Sequence, residues 1–338
     1  MGLLQELSTK YKRLSIVGMA KNAGKTTALN YLIEEAMDEG LILGITSTGR
    51  DGESTDLVTG TEKPRVFLDT DTIVSVPEQL YELAEAGLEI MRMTQYSTSL
   101  GRLMICRVAD SGYVQIAGPV ITAEHKKLCG EMLDMGAELI LIDGAVDRKS
   151  IASPDTSDAI ILSTGAVLSR NMKKVVEETV HIARTYRLPC LENGQIKSLI
   201  NEEKENDRIM LIENGQSRKL DLKTGLGAGR YLDQEITENT EAVYIPGAFT
   251  KSVIEEIHPA KRKAVTFILK DPTKIFLDAV SWQQMVKKGL TVKVLKNIEI
   301  AAITVNPYAP AGYGFDRHAL LDAVGQALPA IPVIDVML

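Results

Sequence analysis

Long apolar runs are missing from this chain of 338 residues. No stretch approaches the ~20 apolar residues that a membrane-spanning helix needs, so no membrane span is expected. The opening residues Met1-Gly-Leu-Leu-Gln-Glu lack a basic stretch followed by a long apolar one, and no secretory signal is expected. Gly2 suggests myristoylation, but Glu6 stands where that motif wants Ser or Thr. Cysteine is scarce: Cys106, Cys129 and Cys190 lie far apart and form no Cys-x-x-Cys pair. Such a set reads as reduced thiols in a cytoplasmic protein. The four histidines are scattered, with no His-Glu-x-x-His pairing, so no structural metal site is expected. Positive charge is not in excess either. Lys and Arg number 38 against 45 Asp and Glu, for a net charge of −7. That disfavours a nucleic-acid binder, which needs a basic face to displace counterions.

What is present is globular. Hydrophobic residues make up 45% and charged residues 25%, which excludes collagen-like, coiled-coil and disordered chains. At about 150 residues per domain the length suggests two domains.

Strands and helices alternate along the first half. Leu14-Ser-Ile-Val17 is an apolar run ending in Gly18, and a helix is expected from Thr26, with Ala28, Leu29, Leu32, Ile33 and Ala36 on one face and Gly40 ending it. Leu41-Ile-Leu-Gly-Ile-Thr46 and Arg65-Val-Phe-Leu68 read as strands. Leu103 to Val108 and Tyr113 to Ala117 suggest a hairpin or meander around Asp110-Ser-Gly112. A helix follows from about Ala123 to Met135, then the buried strands Leu139 to Asp143 and Asp158 to Ser163, then a helix capped by Ser169. The charged run from Asn201 to Arg208 reads as solvated, and a boundary is placed beside it. Beyond it, a hairpin turning at Asn214-Gly215 leads into further strands and helices. The expected fold class is α/β: a P-loop NTPase domain over residues 1–198 with a mainly parallel sheet, and a smaller α/β domain over 199–338.

The chemistry concentrates in Gly18-Met-Ala-Lys-Asn-Ala-Gly24-Lys25-Thr26-Thr27, set between a strand and a helix. Glycines let backbone N–H groups turn inward around phosphate oxygens at a helix N-terminus that already favours anions. The backbone of Gly18, Asn22, Ala23 and Gly24 would form the cradle, with Thr27 closing it. Lys25 would reach the β- and γ-phosphates, and the Thr26 hydroxyl would hold Mg²⁺. Five residues separate the two glycines, one more than in the standard loop. The plain alternative is a Gly-Lys-Thr opening an ordinary helix.

Asp143 ends an apolar strand and is followed by Gly144. P-loop enzymes place the carboxylate that holds Mg²⁺ there, and Gly144 would let the backbone approach the γ-phosphate. The alternative is a strand-end carboxylate capping a turn. Thr46 to Asp56 is rich in hydroxyls, glycine and carboxylates; Asp51 or Glu53 would orient a water or complete the metal shell, unless the segment is simply a polar loop. Asp69 and Asp71 are lesser candidates, and Asp147 and Arg148 would sense the γ-phosphate or pair with each other. Asn306, just past an apolar strand, would read a nucleobase edge through its amide, although an Asn-Pro turn explains it at least as well. No Asn-Lys-x-Asp guanine motif appears, which tilts the nucleotide toward ATP.

The five-residue gap before Gly24-Lys25-Thr26 is similar to that of dethiobiotin synthetase and its relatives, in the wider class of deviant-loop ATPases. The signature lysine of the deviant loop would fall at Ala20, with Lys21 one place on. A resemblance over more of the chain rests on Ser15 to Ile33, on Ile142-Asp-Gly-Ala-Val-Asp-Arg148, on Val305-Asn-Pro307 and on Ile331 to Asp335. These resemble the P-loop subunits of lysine 5,6-aminomutase reactivases. The resemblance implies ATP and Mg²⁺, a second ATPase subunit, and a cobalamin-dependent aminomutase as client. The expectation is a cytoplasmic Mg²⁺-dependent ATPase that remodels a partner enzyme and whose turnover needs that partner. An ATP-dependent ligase or small-molecule kinase of the dethiobiotin synthetase type is the alternative, and self-association stays open.

Overall fold

The computed structural model describes residues 2–48, 65–119, 121–144, 152–202, 208–222 and 227–336. They fall into two compact units, Met1–Val180 with Glu299–Leu338, and His181–Ile298.

The first unit is built on a nine-stranded sheet. From one edge its strands run Val333–Asp335, Ile300–Asn306, Ala159–Gly165, Arg13–Gly18, Leu139–Asp143, Leu43–Ser47, Ile73–Pro77, Gly101–Asp110 and Gly87–Thr98. The first seven are parallel, and Gly101–Asp110 runs antiparallel to its neighbours on both sides. The near-continuous apolar strands are the central ones, because a parallel strand covered on both faces has no solvent side. Leu139, Ile140, Leu141 and Ile142 are all fully buried. Leu139 and Leu141 point into one core with Leu29, Leu32 and Ile33 of the helix Lys25–Glu39. Ile140 and Ile142 point into another, with Leu128, Cys129 and Met132 of the helix Thr122–Asp134. Gly40 ends the first helix at φ +67, a left-handed cap that lets Leu41 N–H reach Ala36 O at 2.9 Å.

The second unit holds a five-stranded sheet in the order Gln216–Lys219, Met210–Glu213, Thr240–Ile245, Thr266–Leu269 and Thr291–Val294. The last three are parallel. The expected hairpin at Asn214-Gly215 is present, with φ +50 and +72 at its two turn residues. Among the described residues no helix is long and apolar enough to cross a membrane.

Three expectations need correction. The boundary expected at 198/199 is not a boundary between the units. Residues 299–338 return to the first unit, because Ile300–Asn306 and Val333–Asp335 pair beside Ala159–Gly165. The expected hairpin between Leu103–Val108 and Tyr113–Ala117 does not form. Gly101–Asp110 instead pairs with Gly87–Thr98 through a turn at Gly101, φ +100, while Gly112–Val114 pairs with Val66–Leu68. The helix expected to be capped by Ser169 begins later, at Met172. Ser169 Oγ accepts from Asn171 N–H, and Asn171 Oδ1 accepts from Lys173 N–H.

Candidate functional site

The strand Arg13–Gly18 lies between Leu139–Asp143 and Ala159–Gly165, all three parallel, so their C-terminal ends meet along one edge. At that edge the loop after Gly18 crosses to the helix starting at Lys25. Its path needs two left-handed residues: Asn22 at φ +64, which a short amide side chain tolerates, and Gly24 at φ +96. Met19 N–H ties the loop to Ser163 O at 2.9 Å, and Ala23 N–H closes onto Ala20 O at 3.2 Å. Ala23 is buried at 1% exposure, so only its backbone can serve a ligand.

Among the described residues the helix Lys25–Glu39 starts without a side-chain cap. Gly24 supplies no side-chain cap, and no acidic residue stands in the first turn. The first N–H groups of a helix have no intrahelical acceptor, and those of Lys25, Thr26 and Thr27 belong to that set, because the Gly24 carbonyl bonds first with Ala28 N–H at 2.9 Å. Such an end is suited to an anion.

Asp143 reaches this loop because its strand runs beside the first one, with Ile16 opposite Asp143. Gly144 N–H continues the pairing to Ile16 O at 3.2 Å. Lys25 Nζ stands 2.7 Å from Asp143 Oδ1 and also donates to Gly144 O. The lysine side chain is 17% exposed and the aspartate 26%. Thr48 N–H bonds Asp143 O at 3.0 Å, so the next strand's end, Thr46-Ser47-Thr48, joins the group. Ser75 Oγ donates to Thr46 Oγ1 at 2.7 Å, and the segment at Ala117 and Gly118 lies tightly over Thr46 and Ser47. His125, 1% exposed, lies within reach of the Ser47 backbone. Burial pulls its pKa down to about 4 against the pull of that backbone, so the ring is neutral near neutral pH. His125 was not singled out in the sequence, and its spacing in an amphipathic helix carries no signal beyond burial.

The structure therefore brings together Gly18, Asn22, Ala23, Gly24, Lys25, Thr26, Thr27, Asp143 and Gly144. It adds Asn306, whose Nδ2 lies 3.4 Å from Asn22 O. Asp51 and Glu53, and likewise Asp147 and Arg148, lie outside the described residues. Asp69 and Asp71 are elsewhere. They precede the strand Ile73–Pro77, which runs parallel to Leu43–Ser47, and so sit at the opposite edge of the sheet from Asp143. There they line a cavity of about 220 Å³ with Gly40, Leu41 and Leu43.

A lysine, a hydroxyl, a carboxylate and bare helix N–H groups on one edge can hold a polyanion with a divalent cation. Comparison with protein-family models, with curated proteins and with solved structures finds no match to this chain.

Proposed function

We propose that this chain is a P-loop protein that binds MgATP and hydrolyses it in the service of a protein partner. The observation that carries the reading is the Lys25–Asp143 pair at 2.7 Å, which joins the loop-helix junction to a carboxylate on the neighbouring parallel strand. A chance Gly-Lys-Thr opening an ordinary helix gives no reason for that partner.

Mg²⁺ fits the oxygen donors offered. This ion is usually held by one or two protein oxygens, with waters and phosphate oxygens completing its shell, so Asp143 and the Thr26 hydroxyl suffice. When bound it would neutralise charge on the β- and γ-phosphate oxygens as a Lewis acid. Everything else falls to the chain. Phosphoryl transfer asks for positioning and charge stabilisation rather than covalent chemistry. The N–H groups at the start of the helix would orient the phosphates. The Lys25 ammonium, released from Asp143, would stabilise the negative charge that builds up as the terminal phosphoryl group leaves. Gly144, lacking a side chain, leaves room for that group.

Two things support a protein partner. The unit His181–Ile298 has its own core around Phe249, Phe267 and Val294 and shows Phe276 and Val280 to solvent. The second is the resemblance to aminomutase reactivases, which alone suggests a cobalamin-dependent aminomutase as client.

Calorimetry with MgATP tests the binding step, and an absence of heat at millimolar nucleotide sinks the reading. Turnover by the wild type and by Lys25→Ala, each with and without a candidate aminomutase, tests the rest. Partner-stimulated hydrolysis that Lys25→Ala abolishes is the expected result.

A further inference from the structure

Both ends of the Asn306 amide are engaged by backbone groups of the chain. Asn306 ends the strand Ile300–Asn306, in register with Gly165 of the neighbouring strand. Its Oδ1 accepts Tyr308 N–H at 3.0 Å, and its Nδ2 donates to Asn22 O at 3.4 Å. The peptide between Asn22 and Ala23 is thus tied at both ends: the carbonyl to Asn306, the N–H to Ala20 O at 3.2 Å.

Two glycines make room for this side chain. A Cβ on Gly24 would lie 3.0 Å from Asn306 Cβ. One on Gly165 would lie 2.2 Å from Asn306 O and 2.9 Å from its Cβ. The two left-handed residues of the loop, Asn22 and Gly24, are the ones that Asn306 touches. A carbonyl swung toward a phosphate would repel it, so fixing the Asn22 carbonyl on an amide donor keeps one acceptor turned away from an incoming anion.

We infer that Asn306 is a positioning residue for the loop rather than a reader of the nucleobase. It lends the loop a brace from the returning C-terminal segment, which residues 1–180 cannot supply. This rests on the nucleotide reading above and adds to it that the affinity Asn306 secures is affinity for the phosphate chain, whatever base is attached.

The test is displacement of a fluorescent ATP analogue from the full chain by MgATP, MgGTP and magnesium tripolyphosphate. Asn306→Ala and Asn306→Asp are compared with the wild type. The aspartate keeps the acceptor for Tyr308 N–H but replaces the donor to Asn22 O with a negative charge, so only a loss shared with the uncharged Asn306→Ala reports the missing bond. The expected result is a five- to tenfold loss, roughly one hydrogen bond, by a common factor for all three competitors. The melting temperature of ligand-free Asn306→Asp stays near that of the wild type. A loss confined to one nucleotide, or no loss at all in folded Asn306→Asp, overturns the inference. A wild type that no competitor displaces and no nucleotide occupies refutes the nucleotide reading first and the inference with it.

Discussion

Lys25 Nζ lies 2.7 Å from Asp143 Oδ1, and the two side chains are only 17% and 26% exposed. Each is the other's counter-charge in this structure, and on the proposed reading each would be wanted elsewhere once phosphate and metal arrive. On that reading nucleotide and Mg²⁺ together would release both groups, whereas either alone would strand one of them.

Lys25→Met therefore leaves a partly buried carboxylate without its cation. Unfolding in urea is expected to show a loss of about 1–3 kcal/mol, between the limits for exposed and fully buried pairs. Adding Asp143→Asn to that variant restores part of the loss, because the stranded charge goes. A double variant no more stable than Lys25→Met would show that the stranded Asp143 charge is not what costs stability.

His125 predicts a pH dependence. Its pKa is depressed to about 4, first by burial and further by the charge of Arg13, against an ordinary value near 6.5. The unfolded chain takes up this proton before the folded one does. The stabilising contribution of the neutral ring is thus complete above about pH 6.5 and lost as pH falls toward 4. Over that window the folded state loses about 3 kcal/mol from this group, at 1.36 kcal/mol per pKa unit. Carboxylates titrate nearby in pH, so the difference between wild type and His125→Gln is the quantity to measure. Similar slopes of stability against pH for the two proteins would remove His125 as the source.

The thiols should divide two to one. Burial pushes the Cys106 thiol up to about 12, and burial likewise pushes Cys129 up to about 12. Both are buried, whereas Cys190 is half-exposed. Thiolate is the reactive form, so a disulfide reagent at pH 8 should modify Cys190 alone in the native protein and all three in denaturant. Fast native reaction at Cys129 would show that the helix Thr122–Asp134 opens readily.

The local elements were legible in the sequence, and the long-range geometry was not. Gly18 to Thr27 and Asp143 could be read because each motif is contiguous and stands at the end of an apolar strand. The approach of Asn306 to Asn22 spans 284 positions, and nothing in either segment encodes it. Gly87–Thr98 was missed because three register shifts break its alternation and its long side chains face solvent. The opposite-edge position of Asp69 and Asp71 follows from strand direction, which composition does not carry.

The returning segment gives the sharpest test of the fold. A chain divided at the boundary read from the sequence, after residue 198, keeps the strand Ala159–Gly165 but loses both strands beyond it, Ile300–Asn306 and Val333–Asp335. Ala302 and Ile303, fully buried, go with them, as does the brace on Asn22. The fragment would present an apolar strand as a new edge, a template for aggregation. Fragment 1–198 is accordingly expected to aggregate or to melt without a cooperative transition. Supplying residues 299–338 on the same chain, joined to residue 180 by a flexible linker in place of 181–298, should restore cooperative melting. A fragment 1–198 that is monomeric and melts as sharply as the full chain would show that the first unit does not need its returning strands.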